Sequence, residues 1–250
     1  MIGRVLAGLV VVAVAAGCGS SRHVGAEGPL GKGADQVWLF RPHGKPKDVV
    51  VFVHGLGRGE TTPANHRLWL EHLAAGGSAV LYPRYESSVG GPEAIPHILA
   101  GVHTGLARLG LRGLPLVAIG FSRGGELVAD YAAAARAVGP PTAAVLSVFP
   151  ATVDPYDVAL DLRGIDRRTR FSILVGDRDA RVDGAGARQL LRRLAAAAFP
   201  VTNVSVTVVR SRPGFTAVHV APLEVSPAAK AAFWAPADRL IERARAGAAG

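Results

Sequence analysis

Seven short apolar runs punctuate the chain: QVWLF, DVVVFVHG, SAVLYP, PLVAIGFS, TAAVLSVFP, FSILVGD and VSVTVV. Most are unbroken and rich in valine and isoleucine. A strand with one wet face alternates apolar and polar residues, so an unbroken run reads as a strand buried on both sides. Burial on both sides requires helices over both faces of a parallel sheet, and the intervening segments have the helical period. TTPANHRLWLEHLAAGG opens with Thr62 as N-cap and Pro63 at the first helical position, and stops at Gly76 and Gly77. In GGELVADYAAAARAVGPP, Val128, Tyr131, Ala135 and Val138 share one face. GPEAIPHILAGVHTGLARLG, GAGARQLLRRLAAAAFP and SPAAKAAFWAPADRLIERARAG complete the set. This alternation predicts a doubly wound α/β domain over residues 36–250, with a mostly parallel sheet flanked by helices. About twenty residues separate VLSVFP from FSILVGD, too few for a large lid domain.

Residues 1–17 stand apart from this pattern. MIGR is a cationic start, VLAGLVVVAVAA is an apolar segment short for a membrane span, and AAGC ends it with small residues before Cys18. The layout predicts a secretory signal. It resembles the bacterial lipoprotein type, which implies a lipid on Cys18 and an exported, membrane-anchored protein. The other reading is an ordinary secretory signal cut nearby, with Cys18 left as a free thiol. Cys18 is the only cysteine, so no intramolecular disulfide forms and stability comes from the core. At 250 residues and 49% hydrophobic, the chain is long enough to build one. Residues 18–35 are rich in Gly and Ser and lack apolar periodicity, which predicts a flexible tether.

The formal charge is +9, or +8 without Arg4. The arginines are scattered singly or in pairs, as in DRRTR and LLRRL, with no basic run and no interleaved aromatics. That distribution predicts a solvated basic surface suited to an anionic leaflet, and no nucleic-acid site. No G-K-[ST] follows the glycine-rich turns, and there is no H-x-x-H, H-E-x-x-H or paired-cysteine set. No phosphate-cradling loop, metal or cofactor is therefore expected.

The stretch PLVAIGFSRGG ends a buried strand on Ser122, with glycines close on either side. A nucleophile on a tight strand-to-helix turn needs crowded backbone angles, and neighbouring glycines remove the Cβ atoms that would clash. The helix that follows, GELVADYAAAA, aims its N-terminal N–H groups at developing negative charge. A serine hydroxyl also needs a base, and the base an orienting acid. Of eight histidines only His219, in PGFTAVHVAP after the last strand, lies downstream of Ser122. His66, His72, His97 and His103 fall in helical segments and read as surface or satisfied residues. The acid is expected after FSILV, where Asp177 and Asp179 compete in GDRDARV.

These motifs make the stretch from about residue 36 to 245 similar to the α/β-hydrolase superfamily. The resemblance implies that the acid is Asp179, in a G-x-x-D-x-x-V loop with Gly176 and Val182 in place, and leaves Asp177 to shape the turn. VVVFVHGLGRG matches a second signature of the family, an apolar strand running into H-G-x-G. It implies an oxyanion hole made by the backbone N–H groups of Leu56 and Arg123, with His54 bracing the loop. The Arg123 side chain reads either as a contact for an anionic substrate or as a structural ion pair. Tyr82, Tyr85, Phe149 and Phe215, near strand ends, read as pocket lining or as core.

The expected activity is a serine hydrolase acting on small-molecule esters or similarly activated acyl groups. Two alternatives share the sequence: a cell-envelope acyltransferase using the same triad, and a surface lipoprotein that keeps the fold without the chemistry.

Overall fold

The computed structural model describes residues 24–57, 59–86, 94–110, 113–152 and 159–248. The proposed signal at 1–17 and the proposed lipid site Cys18 lie outside the described residues. Eight strands form one sheet: β1 (Gly25–Leu30), β2 (Val37–Arg41), β3 (Asp48–Val53), β4 (Ser78–Pro83), β5 (Leu116–Phe121), β6 (Thr142–Val148), β7 (Arg170–Gly176) and β8 (Val204–Val209). Their spatial order is β1-β2-β4-β3-β5-β6-β7-β8. Pairing is antiparallel for β1–β2 and β2–β4 and parallel everywhere else. The helices are α1 (Arg67–Ala75), α2 (Ala94–Leu109), α3 (Arg123–Ala134), α4 (Ala185–Ala196), the short α5 (Pro227–Ala229) and α6 (Ala235–Ala248).

The strand pleat divides the core in two. Val49, Val51 and Val53 of β3 face α2, α3 and α4, packing with Ile98, Val128 and Leu190. Val50 and Phe52 face the other layer, with Leu70 and Leu73 of α1 and Leu240 and Ile241 of α6. Both faces of the central strands are thus covered, as their unbroken apolar runs require. The chain leaves β3 in one direction to make β4, then returns past β3 to make β5. This reversal falls between β3 and β5, and α/β sheets place their ligands beyond the carboxyl ends of the strands at such a point.

Three local expectations are corrected. The tether expected through residue 35 is folded from Gly25 onward: β1 pairs along β2, with Gly25 opposite Arg41 and Ala26 opposite Phe40. Glu27 ties it down by accepting from Arg108 Nε at 2.6 Å and Arg41 Nε at 3.3 Å. Thr62 makes no side-chain cap bond, because Pro63–His66 first form a 3₁₀ turn and α1 starts only at Arg67. The terminal helical segment is not one regular helix. Ser226 caps α5 by accepting from Ala229 N at 3.2 Å, and a π turn at Lys230–Trp234 then leads into α6. Pro236 lacks the N–H that would bond four residues back, and the widened turn accommodates that missing donor.

Candidate active site

At the end of β5 the chain reverses into α3 through Ser122, whose φ of 56° and ψ of −118° lie where a non-glycine residue is strained. The surroundings over-determine this conformation. Ser122 N donates to Val148 O at 3.0 Å, and Ser122 O accepts from Ala151 N at 2.9 Å. The flanking glycines allow backbone to pass against backbone. A Cβ on Gly120 would sit 2.0 Å from Gly124 O, and one on Gly124 would sit 2.1 Å from Val53 O.

The loop after β8 brings His219 to this turn. Ser122 Oγ lies 2.8 Å from His219 Nε2, and His219 Nδ1 lies 2.8 Å from Asp179 Oδ2. All three side chains are buried. Asp179, on the loop after β7, also accepts from Arg181 N at 3.1 Å and Val182 N at 3.4 Å through Oδ1, which fixes the carboxylate. The geometry orders the protons: Nδ1–H donates to the carboxylate, leaving Nε2 to accept from the hydroxyl. The competing carboxylate, Asp177, is engaged elsewhere. It accepts from Ser211 Oγ at 2.6 Å and from Ser211 N at 3.0 Å, bonds that hold its carboxyl below the ordinary aspartate range. Ser211 Oγ in turn accepts from Ala217 N, so Asp177 ties the β7 loop to the loop that carries His219.

The loop after β3 faces the serine turn. Leu56 is half-exposed there, and its N–H has no hydrogen-bond partner among the described residues. Arg123 is the first residue of α3, directly after Ser122. The Arg123 guanidinium is buried, ion-paired with Glu86 and placed over the Tyr85 ring at 5.7 Å. It is a structural brace, not a greeting for substrate. His54 is fully buried between the rings of Tyr82 and Tyr85. Its Nδ1 lies 2.7 Å from Gly55 O and its Nε2 2.6 Å from Arg84 O. Both neighbours are acceptors and favour a proton on each nitrogen, but burial dominates and lowers the His54 pKa to about 4. Tyr85 OH donates to His54 O at 2.8 Å. Tyr82, Tyr85, Phe149 and Phe215 are all core residues.

One cluster was not legible in the sequence. Glu60 is buried and accepts from His66 Nε2 at 2.8 Å, Asn65 Nδ2 at 2.7 Å and Gly55 N at 3.3 Å. Burial opposes its charge, but the bond to His66 and the other donors win and lower its pKa to about 2. His66 was read as surface or satisfied; it is buried and satisfied by this carboxylate at Nε2. The only sequence signal was a carboxylate, an amide and an imidazole within seven residues of a polar turn. Among the described residues no group of three or more His, Cys, Asp or Glu is placed to hold a metal ion.

No family model matches the chain, and no curated protein matches it. Solved structures do. Esterase B from Lactobacillus rhamnosis, inhibited by a C4-C4 SN3 tributyrin phosphonate, superposes with a TM-score of 0.66 at 17% identity, covering 90% of this chain and 86% of that one. Brefeldin A esterase, described as a bacterial homologue of human hormone-sensitive lipase, gives 0.62 at 21% identity, covering 90% and 78%. A dienelactone hydrolase from Klebsiella pneumoniae subsp. pneumoniae, itself described as presumptive, gives 0.59 at 16%, covering 83% and 92%. At these identities the likeness establishes the fold. The chain has the α/β-hydrolase fold, with a mostly parallel eight-stranded sheet and no large lid among the described residues.

Proposed function

We propose that the chain is a serine hydrolase that cleaves carboxylic esters, with Ser122 as nucleophile, His219 as base and Asp179 as orienting acid. One observation carries this reading: an unbroken relay of two 2.8 Å contacts, from Ser122 Oγ through the His219 ring to Asp179. Names of the structural neighbours support the substrate class, since esterases recur among them.

In the proposed reaction His219 Nε2 takes the Ser122 proton as Oγ attacks the ester carbonyl carbon. Asp179 stays ionised and stabilises the imidazolium. The carbonyl oxygen becomes an oxyanion, which accepts from the N–H groups of Leu56 and Arg123; one such donor lowers the barrier by about 3 kcal/mol. The tetrahedral species collapses, His219 protonates the departing alcohol, and an acyl-enzyme remains. Water, deprotonated by His219, then attacks it and releases the acid and Ser122. Export and anchoring through a lipid on Cys18 belong to the same proposal. Mass spectrometry of the mature N-terminus is expected to find that lipid, and an unmodified thiol rejects it.

A panel of p-nitrophenyl esters, starting from the butyrate, tests the reaction. Ser122→Ala is expected to lose at least about 10⁴-fold in kcat, and Asp179→Asn nearly as much. Asp177→Asn, whose carboxylate hydrogen-bonds Ser211 and neither His219 nor Ser122, is expected to lose less than about tenfold. Equal turnover by wild type and Ser122→Ala ends the reading, and the reverse ranking of the two aspartates reassigns the acid.

A further inference from the structure

The proposed mechanism leaves unused the buried cluster behind the loop after β3. Glu60 carries an ionised carboxylate there, almost removed from water, and each oxygen has found donors. Oε1 accepts from Asn65; Oε2 accepts from both His66 and the backbone N–H of Gly55. Burying a charge is unfavourable unless it is paired and hydrogen-bonded, so the partners and the carboxylate hold one another in place. The backbone of Glu60 is pinned as well. Its N–H donates to Gly57 O at 3.2 Å, and its carbonyl accepts from Tyr82 OH at 2.5 Å. The His66 ring is packed against Phe52 at 4.8 Å and Phe121 at 5.8 Å, and Phe121 in turn lies 5.4 Å from the His219 ring.

The consequence falls on the next peptide. Residues 55 and 57 are glycines, the residue type with the most backbone freedom, and among the described residues the peptide that carries the Leu56 N–H is met by a side chain only at its carbonyl, Gly55 O, 2.7 Å from His54 Nδ1. The bond from Gly55 N to Glu60 fixes the 54–55 peptide, and the bond from Glu60 N to Gly57 O fixes the carbonyl after Gly57, so Glu60 holds the turn at both ends with the Leu56 N–H between them.

We propose that Glu60 is a positioning residue of the oxyanion hole, clamping the turn at Gly55 N and Gly57 O so that the unpartnered Leu56 N–H between them stays directed toward Ser122. The proposal rests on the ester-hydrolase reading. Glu60 touches neither substrate nor reacting atoms and acts through the Leu56 amide alone. His66 and Asn65 keep its carboxylate in register.

The test compares Glu60→Ala, Glu60→Gln and His66→Gln with wild type in the full chain. It uses p-nitrophenyl butyrate turnover, inhibition by butylboronic acid (a tetrahedral anion when bound to serine), and thermal melting by circular dichroism. Glu60→Ala is expected to lose about 100-fold in kcat with KM within about twofold, and its boronate Ki is expected to rise by the same factor. Glu60→Gln retains one acceptor oxygen and is expected to lose about tenfold in both. Should Glu60→Ala fail to fold, Glu60→Gln and His66→Gln carry the test by the same parallel loss. Folded variants with unchanged kcat overturn the proposal, as does a kcat loss with an unchanged boronate Ki, which marks a merely structural role. A wild type inert to both esters and a fluorophosphonate probe overturns the hydrolase reading itself, and the proposal with it. An active wild type with indifferent variants overturns the proposal alone.

Discussion

Two turns face each other across the carboxyl ends of β3 and β5, and they are held by opposite means. The Ser122 turn is set by steric exclusion. Bare glycine backbone at 120 and 124 lets two chain segments touch, with room for no further atom. The His54–Gly57 loop is set by polar contacts: a buried histidine, a buried glutamate and the hydroxyls of Tyr82 and Tyr85. The two meet directly, since Gly124 packs on the carbonyls of Val53 and His54. A steric turn is rigid at every pH but tolerates no added methyl. A polar turn has room for added atoms but depends on the side chains that hold it and on their protonation.

Substitution at the steric side is expected to have the largest effect. In Gly124→Ala the new Cβ would lie 2.1 and 2.3 Å from two backbone oxygens that cannot swing aside. A loss above about 4 kcal/mol, or failure to fold, is expected by urea denaturation. A near-neutral Gly124→Ala would break the contrast.

Acid is expected to act next, and on the polar side. The Glu60 pKa falls from 4.5 to about 2 on folding, so the stability it contributes is present above pH 4.5 and is lost as pH drops toward 2. The His54 pKa falls from 6.5 to about 4, so the unfolded chain takes up its proton first; that stability is present above pH 6.5 and is lost between 6.5 and 4. Each is worth on the order of 3 kcal/mol. Urea midpoints are expected to fall in two overlapping stages, and Glu60→Gln is expected to remove the lower one. A flat profile from pH 7 to 3 would show that the polar turn is not what holds the loop.

Leu56→Ala is expected to do least. The side chain is half-exposed and the proposed donor is its backbone N–H, so stability is expected to change by less than about 0.5 kcal/mol and kcat by less than about threefold. A larger kcat loss would assign the leucine side chain a role of its own.

The same contrast explains what could be read from the residues alone. Steric requirements leave a local mark, and the glycines around Ser122 announced the turn. The strands buried on both faces were legible from their apolar runs, and the downstream position of His219 follows from the order of elements in the fold. Distant polar pairings leave no such mark. Glu27 of β1 is held by Arg41 and by Arg108, 81 residues away, so an exposed, glycine-containing edge strand looked like a tether. Whether the Arg123 guanidinium would meet substrate or Glu86 depended on how the β4 loop folds back over α3. Thr62 had the composition of a cap, but Pro63 opened a tighter turn in which no cap bond forms.

The backbone angles at Ser122 carry a thermodynamic signature of their own. A residue with a Cβ is held there at an expense of roughly 1–3 kcal/mol, recovered from packing elsewhere in the domain. Ser122→Gly relaxes that distortion, and so this variant, which the proposed mechanism makes inactive, is expected to melt at a higher temperature than the intact protein. Calorimetry can therefore detect the trade of durability for reactivity at this position before any substrate is known.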